Sequence, residues 1–286
     1  MKGAASKQAE LERVLPALMR ILDAAIREDI DETGTDITGV ALPLRGKRAV
    51  GELRVKSAGV IAGIELLPLI PLLPVFSEQS LEVDDGELEC FSGDVVRPPK
   101  SGYEVAGTLV GEARALLLLE RSLLNLLSRM SGIATLTAKY VEAVKGTKAR
   151  ICDTRKTVPG LRIADKYAVA CGGGHNHRFG LHDEAMIKEN HLALSGLGVT
   201  DAVKAIRKKH PTKRLTCEAE NLEQVADAVK AGVDCVLLDD FSLADMRRAI
   251  ELRRKLKKNR IAFEASGGVN LKTVRAIAET GVERIS

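Results

Sequence analysis

From Arg214 to Ser286 the chain alternates β-rich runs with helical patterns at short, regular spacing: RLTCEAE, NLEQVADAVKAG, VDCVLLDD, SLADMRRAIELRRKLKKN, RIAFEASGG, NLKTVRAIAETG and VERIS. Strands joined through single helices run parallel, because the helix carries the chain back across the sheet before the next strand starts. The pattern therefore predicts a parallel βα series. Asn221 before LEQ, Ser242 before LAD and Asn270 before LKT are polar N-caps ahead of apolar periods, which supports the same division.

Polar residues then fall at one end of these strands. Glu218 and Glu220 follow Leu215 to Cys217, Asp239 and Asp240 follow Val233 to Leu238, and Glu264 with Ser266 follow Ile261 to Phe263. Any one pair reads as a solvated loop. Three successive strands with acids at their carboxyl ends point to a ligand-binding rim, the functional face of a barrel of parallel strands. Arg155 and Lys156 end the short run ARICDT in the same way, with Thr157 and Pro159 closing a turn.

The segment Ile151 to His191 gathers Arg155, Lys156, Arg162, Lys166, Arg178 and Lys188 around the glycine triplet 172–174. Arginine grips carboxylates and phosphates in a bidentate manner, and glycine lets backbone N–H groups approach them, so this mixture suits a ligand with several negative groups. His175, His177 and His182 raise the possibility of an HxH zinc site. No cysteine or carboxylate at ligand spacing completes such a site, and an arginine next to His177 opposes a dication, so a hydrogen-bonding histidine in a polar pocket is the better reading.

Before about residue 130 the texture differs. An amphipathic start (Leu11 to Ile30), a Gly/Thr/Asp loop (Asp31 to Gly39), an alternating strand (Ala49 to Lys56) and the turns of Asp84 to Gly102 read as an α+β domain. The run from Gly111 to Val144 reads as one or two long helices whose apolar spacing is mostly core, and Glu120 with Arg121 reads from spacing alone as an ion pair. The expected domains are 1–129, an N-terminal α/β sandwich, and 130–286, an α/β barrel.

Composition excludes several classes. Forty-three basic against thirty-nine acidic residues leave a formal charge of only +4 in 286 residues, which argues against nucleic-acid or membrane partners from bulk charge. Aromatics are 3% with no tryptophan, removing the stacking platforms of a single-strand binder. The most apolar stretch, Gly59 to Phe76, carries Glu65 and three prolines, unlike a membrane span. The N-terminus lacks a signal peptide's apolar core. Five scattered cysteines, never spaced as CxxC, suit free thiols in a reducing cytoplasm.

The ordered set ERSLLN, SGIAT, DTRKT, PGLR, KYAV, GGGHNHR, IKENH, LLDDF and EASGG resembles the quinolinate phosphoribosyltransferase family, from about the REDIDETGTDIT loop to the last residue. The resemblance implies an N-terminal α/β sandwich and an incomplete seven-stranded α/β barrel, working as a homodimer with shared active sites. It implies phosphoribosyl transfer from phosphoribosyl pyrophosphate to quinolinate, with decarboxylation to nicotinate mononucleotide in NAD biosynthesis. By motif, Arg121 would reach the neighbouring subunit's site. Thr154, Arg155, Lys156, His177, Arg178 and Lys188 would bind substrate anions. Glu218 and Asp239 match the acids near the ribose hydroxyls and magnesium (Mg2+), and Ser266, Gly267 and Gly268 match the phosphate loop. That loop also has a physical reading of its own, as a Ser-Gly-Gly turn opening a helix from Asn270.

Two departures from the family pattern stand out. The family continues past VERIS with a Gly-Ala-Leu-Thr-His-type loop and a terminal segment, so the sequence ending at Ser286 is expected to be an incomplete record. Asp240 stands where the family usually has asparagine, adding a negative charge near the metal. Two rival readings follow: a related phosphoribosyltransferase using another aromatic acid, and a non-catalytic anion-binding protein.

Overall fold

The computed structural model describes residues 2–30, 34–79 and 81–286, with side chains from Leu11 onward in that set. The chain forms two compact units, Met1–Leu136 with Thr157–Gly173, and Thr137–Lys156 with Gly174–Ser286. The expected division at 129/130 falls inside one long helix, and the observed one falls later in that helix. Residues 157–173 return to the first unit, which linear reading of the chain does not anticipate.

In the first unit, helix α1 (Lys2–Ile30) buries Val14, Leu18, Leu22, Ile26 and Ile30, a stripe with a strict four-residue spacing that a 3.6-residue turn keeps on one face. Of the expected loop Asp31 to Gly39, residues 31–33 lie outside the described set; the rest enters a short helix α2 (Ile37–Ala41), capped by the Asp36 carboxylate. Strands β1 (Arg48–Val55) and β2 (Gly59–Val60) follow. The proline-containing apolar stretch is a 3₁₀ segment (Ile64–Leu72) leading into α3 (Pro74–Glu78), with Ile64, Leu66, Leu67 and Ile70 buried.

The region 84–102, expected as turns, also contains β3 (Val83–Leu88) and β4 (Val95–Val96). Strand β5 (Glu104–Glu112) takes the centre of an antiparallel sheet ordered β1-β5-β3, and β2 pairs with β4. The central strand supplies the partner groups that so polar a β3 needs. Helix α4 (Ala113–Ala143) is continuous. Helix α5 (Arg162–Cys171) is tied within this unit by a bidentate bond from Arg129 to Asp165, both contacts 2.8 Å. No helix among the described residues is long and apolar enough to cross a membrane.

The second unit contains β6 (Arg150–Ile151), β7 (Ala185–Ile187), α6 (Glu189–Ser195), α7 (Val199–Lys209), β8 (Leu215–Ala219), α8 (Leu222–Ala231), β9 (Cys235–Asp239), α9 (Leu243–Lys255), β10 (Ala262–Ser266), α10 (Val274–Ala278) and β11 (Arg284–Ile285). The six strands form one parallel sheet in the order β6-β11-β10-β9-β8-β7. The seventh strand expected of the barrel is reduced to a single parallel bridge between Cys152 and His175. The glycines just before it and the polar run after it give a longer strand little to pack.

Strand periodicity decides what faces where. Cys217, Ala219, Val236, Leu238, Phe263, Ala265 and Ile285 pack in one buried cluster with the helix residues Val225, Val229, Met246, Ile250, Val274 and Ile277. The intervening residues point to the opposite face of the sheet. The caps at Asn221 and Ser242 accept from Gln224 and Asp245 backbone N–H groups as the spacing predicts. Asn270 instead makes a turn, accepting from Lys272 and Thr273, and α10 starts only at Val274.

Candidate active site

The faces of β7 to β11 turned away from the helices line a cavity of about 360 Å³ at the carboxyl ends of the strands. Nine of the residues expected to bind substrate converge on it: Thr154, Arg155, Lys156, His177, Arg178, Lys188, Glu218, Asp239 and Ser266. They come from well-separated points of the chain.

The loop after β6 is held by local bonds. Thr154 Oγ1 accepts the Lys156 backbone N–H at 3.0 Å, and the Asp153 carboxylate accepts that of His177 at 2.7 Å. The Arg178 guanidinium is 8% exposed and donates to the Glu184 carbonyl at 3.1 Å, with the Met186 sulfur at 3.4 Å. Burial pushes Arg178 below its ordinary value, and the like charge of Arg155 pushes the same way. Arg155 Nε is buried without a hydrogen-bond partner. Two guanidiniums that repel one another, one with an unused buried donor, suit a ligand that brings negative charge.

In the same cavity, Lys188 Nζ lies 2.6 Å from Glu218 Oε2, so part of its charge is already matched. Burial, and then the negative charges of Glu218 and Asp240, hold the Asp239 carboxyl above the usual aspartate range, while Lys188 and Lys156 pull it back. The cavity thus combines the guanidiniums of Arg155 and Arg178 with the carboxylates of Glu218 and Asp239.

Other residues that the sequence singles out lie elsewhere or deeper. Arg162 and Lys166 belong to the first compact unit, on α5, and Lys166 is fully buried there. Arg121 is exposed on α4, also in the first unit. Glu220 and Asp240 are exposed and do not line the cavity, whereas Glu264 lies one pleat deeper than the rim and is completely buried. His177 Nδ1 accepts the Arg178 backbone N–H at 2.8 Å, while burial and then Arg150 and Arg284 lower the His175 imidazole. Among the described residues no three His, Cys, Asp or Glu side chains form a metal-sized group.

The Ser-Gly-Gly turn does not open a helix, since α10 begins at Val274 and has only five residues. What the turn has is backbone shape. Gly267 and Gly268 have φ of +94° and +60°, and a Cβ on Gly267 would collide with the Asp240 carboxylate. Asp240 itself has φ +52°, a left-handed conformation that Asp and Asn tolerate best among residues other than glycine, which suits either residue at this position. Gly267→Ala is expected to lower stability by about 1–3 kcal/mol, read as a reduced urea midpoint. Gly268→Ala meets open space and is expected to cost less.

Met186, Leu237 and Ser286 also line the cavity and carried no polar-rim signal, whereas Glu264 carried one but lies deeper than the rim. Met186, Leu237 and Glu264 each stand two residues before Lys188, Asp239 or Ser266, on the same strand face. Period-two counting inward from the rim would have found them.

An open parallel α/β sheet whose strand ends enclose a cationic pocket flanked by carboxylates defines an anion-handling α/β enzyme. The chain belongs to the quinolinate phosphoribosyl transferase family: the family's N-terminal domain matches residues 36–131 and its C-terminal domain residues 133–286. It is 39% identical over 262 residues to a nicotinate-nucleotide pyrophosphorylase (carboxylating) of Mycobacterium leprae, covering 92% of this chain and 88% of that one. It is 39% identical over 277 residues to a probable nicotinate-nucleotide pyrophosphorylase (carboxylating) of Methanothermobacter thermautotrophicus, covering 94% and 92%. The solved nicotinate-nucleotide pyrophosphorylase of Francisella tularensis superposes with a TM-score of 0.81 at 31% identity, covering 95% of this chain and 90% of that one.

Proposed function

We propose that this chain transfers the phosphoribosyl group of phosphoribosyl pyrophosphate to quinolinate, releasing pyrophosphate and carbon dioxide and forming nicotinate mononucleotide. The observation that carries the reading is the pairing of Arg155 and Arg178 in one small cavity, with Arg155 Nε unused. Quinolinate has two adjacent carboxylates, which match two neighbouring guanidiniums better than a single carboxylate does.

The reaction follows from placement and charge. The pyridine nitrogen bonds to C1 of the ribose as the C1–O bond to pyrophosphate breaks, with the electron pair leaving on pyrophosphate. Positive charge that develops on the sugar is stabilised by Glu218 and Asp239, and Lys156 and Lys188 balance the departing phosphates. The ribosylated ring nitrogen is cationic, so its charge stabilises the pair left on the adjacent ring carbon when the carboxyl departs as carbon dioxide; that carbon then takes up a proton. Ser266, Gly267 and Gly268 receive the phosphate through a turn that is open at Gly268.

Glu218 and Asp239 also suit Mg2+. Burial first, and then the charge of Glu218, hold the Asp239 carboxyl up, and two carboxylates completed by substrate oxygens and water are a common magnesium arrangement. When bound, the ion would neutralise the pyrophosphate leaving group. Five free thiols support a cytoplasmic setting.

The test is turnover with Mg2+ and phosphoribosyl pyrophosphate. Carbon dioxide release from quinolinate with no product from nicotinate is expected; turnover of nicotinate but not quinolinate would overturn the assignment, and binding without release would favour a sensor. We also propose a homodimer in which Arg121 completes the partner's site. A verified heterodimer of Arg121→Ala with Arg178→Ala then has one site free of both defects, and about half of normal activity is expected. Absence of recovery would contradict sharing.

A further inference from the structure

Glu264 is the one acid of the cavity wall to which the reaction assigns no task. Its side chain is 0% exposed, on β10 between Phe263 and Ala265, which face the helices. Its strand partner in register is Arg284 of β11, whose Nε lies 2.7 Å from Glu264 Oε2. Oε1 lies 3.5 Å from His177 Nε2. Neither contact meets strict hydrogen-bond alignment, and the anion is steadied by the Arg284 charge together with the His177 imidazole and the Ser286 side chain. A buried carboxylate left in that condition is costly to keep unless it serves something nearby.

The neighbour it serves is the substrate-binding loop. His177 Nδ1 accepts the Arg178 backbone N–H, which places the imidazole proton on Nε2, the edge facing Glu264. Arg284, Glu264, His177 and the Arg178 backbone thus form one chain of contacts from the barrel interior to the quinolinate-facing guanidinium. Burial alone would push the Glu264 carboxyl up; His177 and Arg284 outweigh it and hold it below the usual range, so the group is an anion at neutral pH.

We infer that Glu264 is a positioning residue for quinolinate: its charge, anchored by Arg284, holds the His177 ring and through it the Arg178 segment in the geometry that grips the substrate carboxylates. This inference rests on the reading of quinolinate as substrate. It predicts an effect confined to one of the two substrates, because Glu264 acts through His177 and not through the Glu218 and Asp239 side of the cavity.

The experiment measures KM for quinolinate and for phosphoribosyl pyrophosphate in wild type, Glu264→Gln and the double variant Glu264→Gln/Arg284→Met. Both variants are expected to raise KM for quinolinate by about tenfold or more while KM for phosphoribosyl pyrophosphate stays within about twofold. The double variant removes the stranded guanidinium as well, so it reports even if the single one fails to fold. Unchanged constants, equal rises for both substrates, or a double variant whose quinolinate KM returns to the wild-type value would show that Glu264 merely balances charge in the barrel. A wild type that releases no carbon dioxide from quinolinate would refute the substrate reading itself, and with it this inference.

Discussion

Arg155→Ala is expected to lower kcat/KM for quinolinate by about two to four orders of magnitude, with the fold intact. The estimate follows from losing two charge-assisted hydrogen bonds, about 1.5–3 kcal/mol each, to one carboxylate. The residue is half-buried in a loop beyond β6 and its Nε bonds to nothing else, so removing it leaves no protein group stranded. Indeed, it relieves the like charge on Arg178. Arg155→Lys is expected to recover little, because a point charge does not reproduce the planar fork. Steady-state kinetics beside thermal melts check both statements; loss of stability in step with activity would contradict them.

Arg284→Met is expected to have the largest effect on stability, about 3–5 kcal/mol at neutral pH. It leaves the Glu264 carboxylate charged, with no exposure to water and only the uncharged partners His177 and Ser286 beside it. The pH dependence has a definite sign. In the wild type the folded Glu264 carboxyl is held below its ordinary 4.5, so its contribution is complete above that value and is lost as pH falls through the lower folded one. Without Arg284, burial dominates and the carboxyl rises. Its protonation then removes the penalty as the solution is acidified, so the gap between variant and wild type narrows towards acid pH. Denaturant midpoints across pH 4 to 8, a range of about four units around the ordinary carboxylate value, measure this. A gap that widens on acidification would be contrary to the account.

The parts of this molecule that sequence makes legible are those governed by short periods. The alternation of strands and helices after Arg214 identifies the parallel sheet, and the positions of Glu218 and Asp239 at strand ends identify the rim. The caps at Asn221 and Ser242 are equally local. Where two local rules compete, reading fails: Asn270 has the signature of an N-cap, but its side chain is satisfied by a turn four residues ahead of the helix.

Long-range pairings are the harder part. Arg162 and Lys166 have the composition of an anion site, yet they lie on an amphipathic helix whose register belongs to the first unit, where Arg129 clasps the adjacent Asp165. No feature of the segment 157–173 itself announces that partner, thirty-six positions away in the case of Arg129 and Asp165. Glu264 shows a third situation. Its distance from the rim is set by counting pleats, but its burial depends on Arg284 standing beside it in the next strand.

The most direct test is a structure of the protein with quinolinate bound. The account predicts one carboxylate on Arg155, the other on Arg178, each at about 3 Å, with the ring nitrogen turned towards Glu218 and Asp239. Quinolinate found elsewhere on the molecule, or in the cavity with both guanidiniums unengaged, would contradict it.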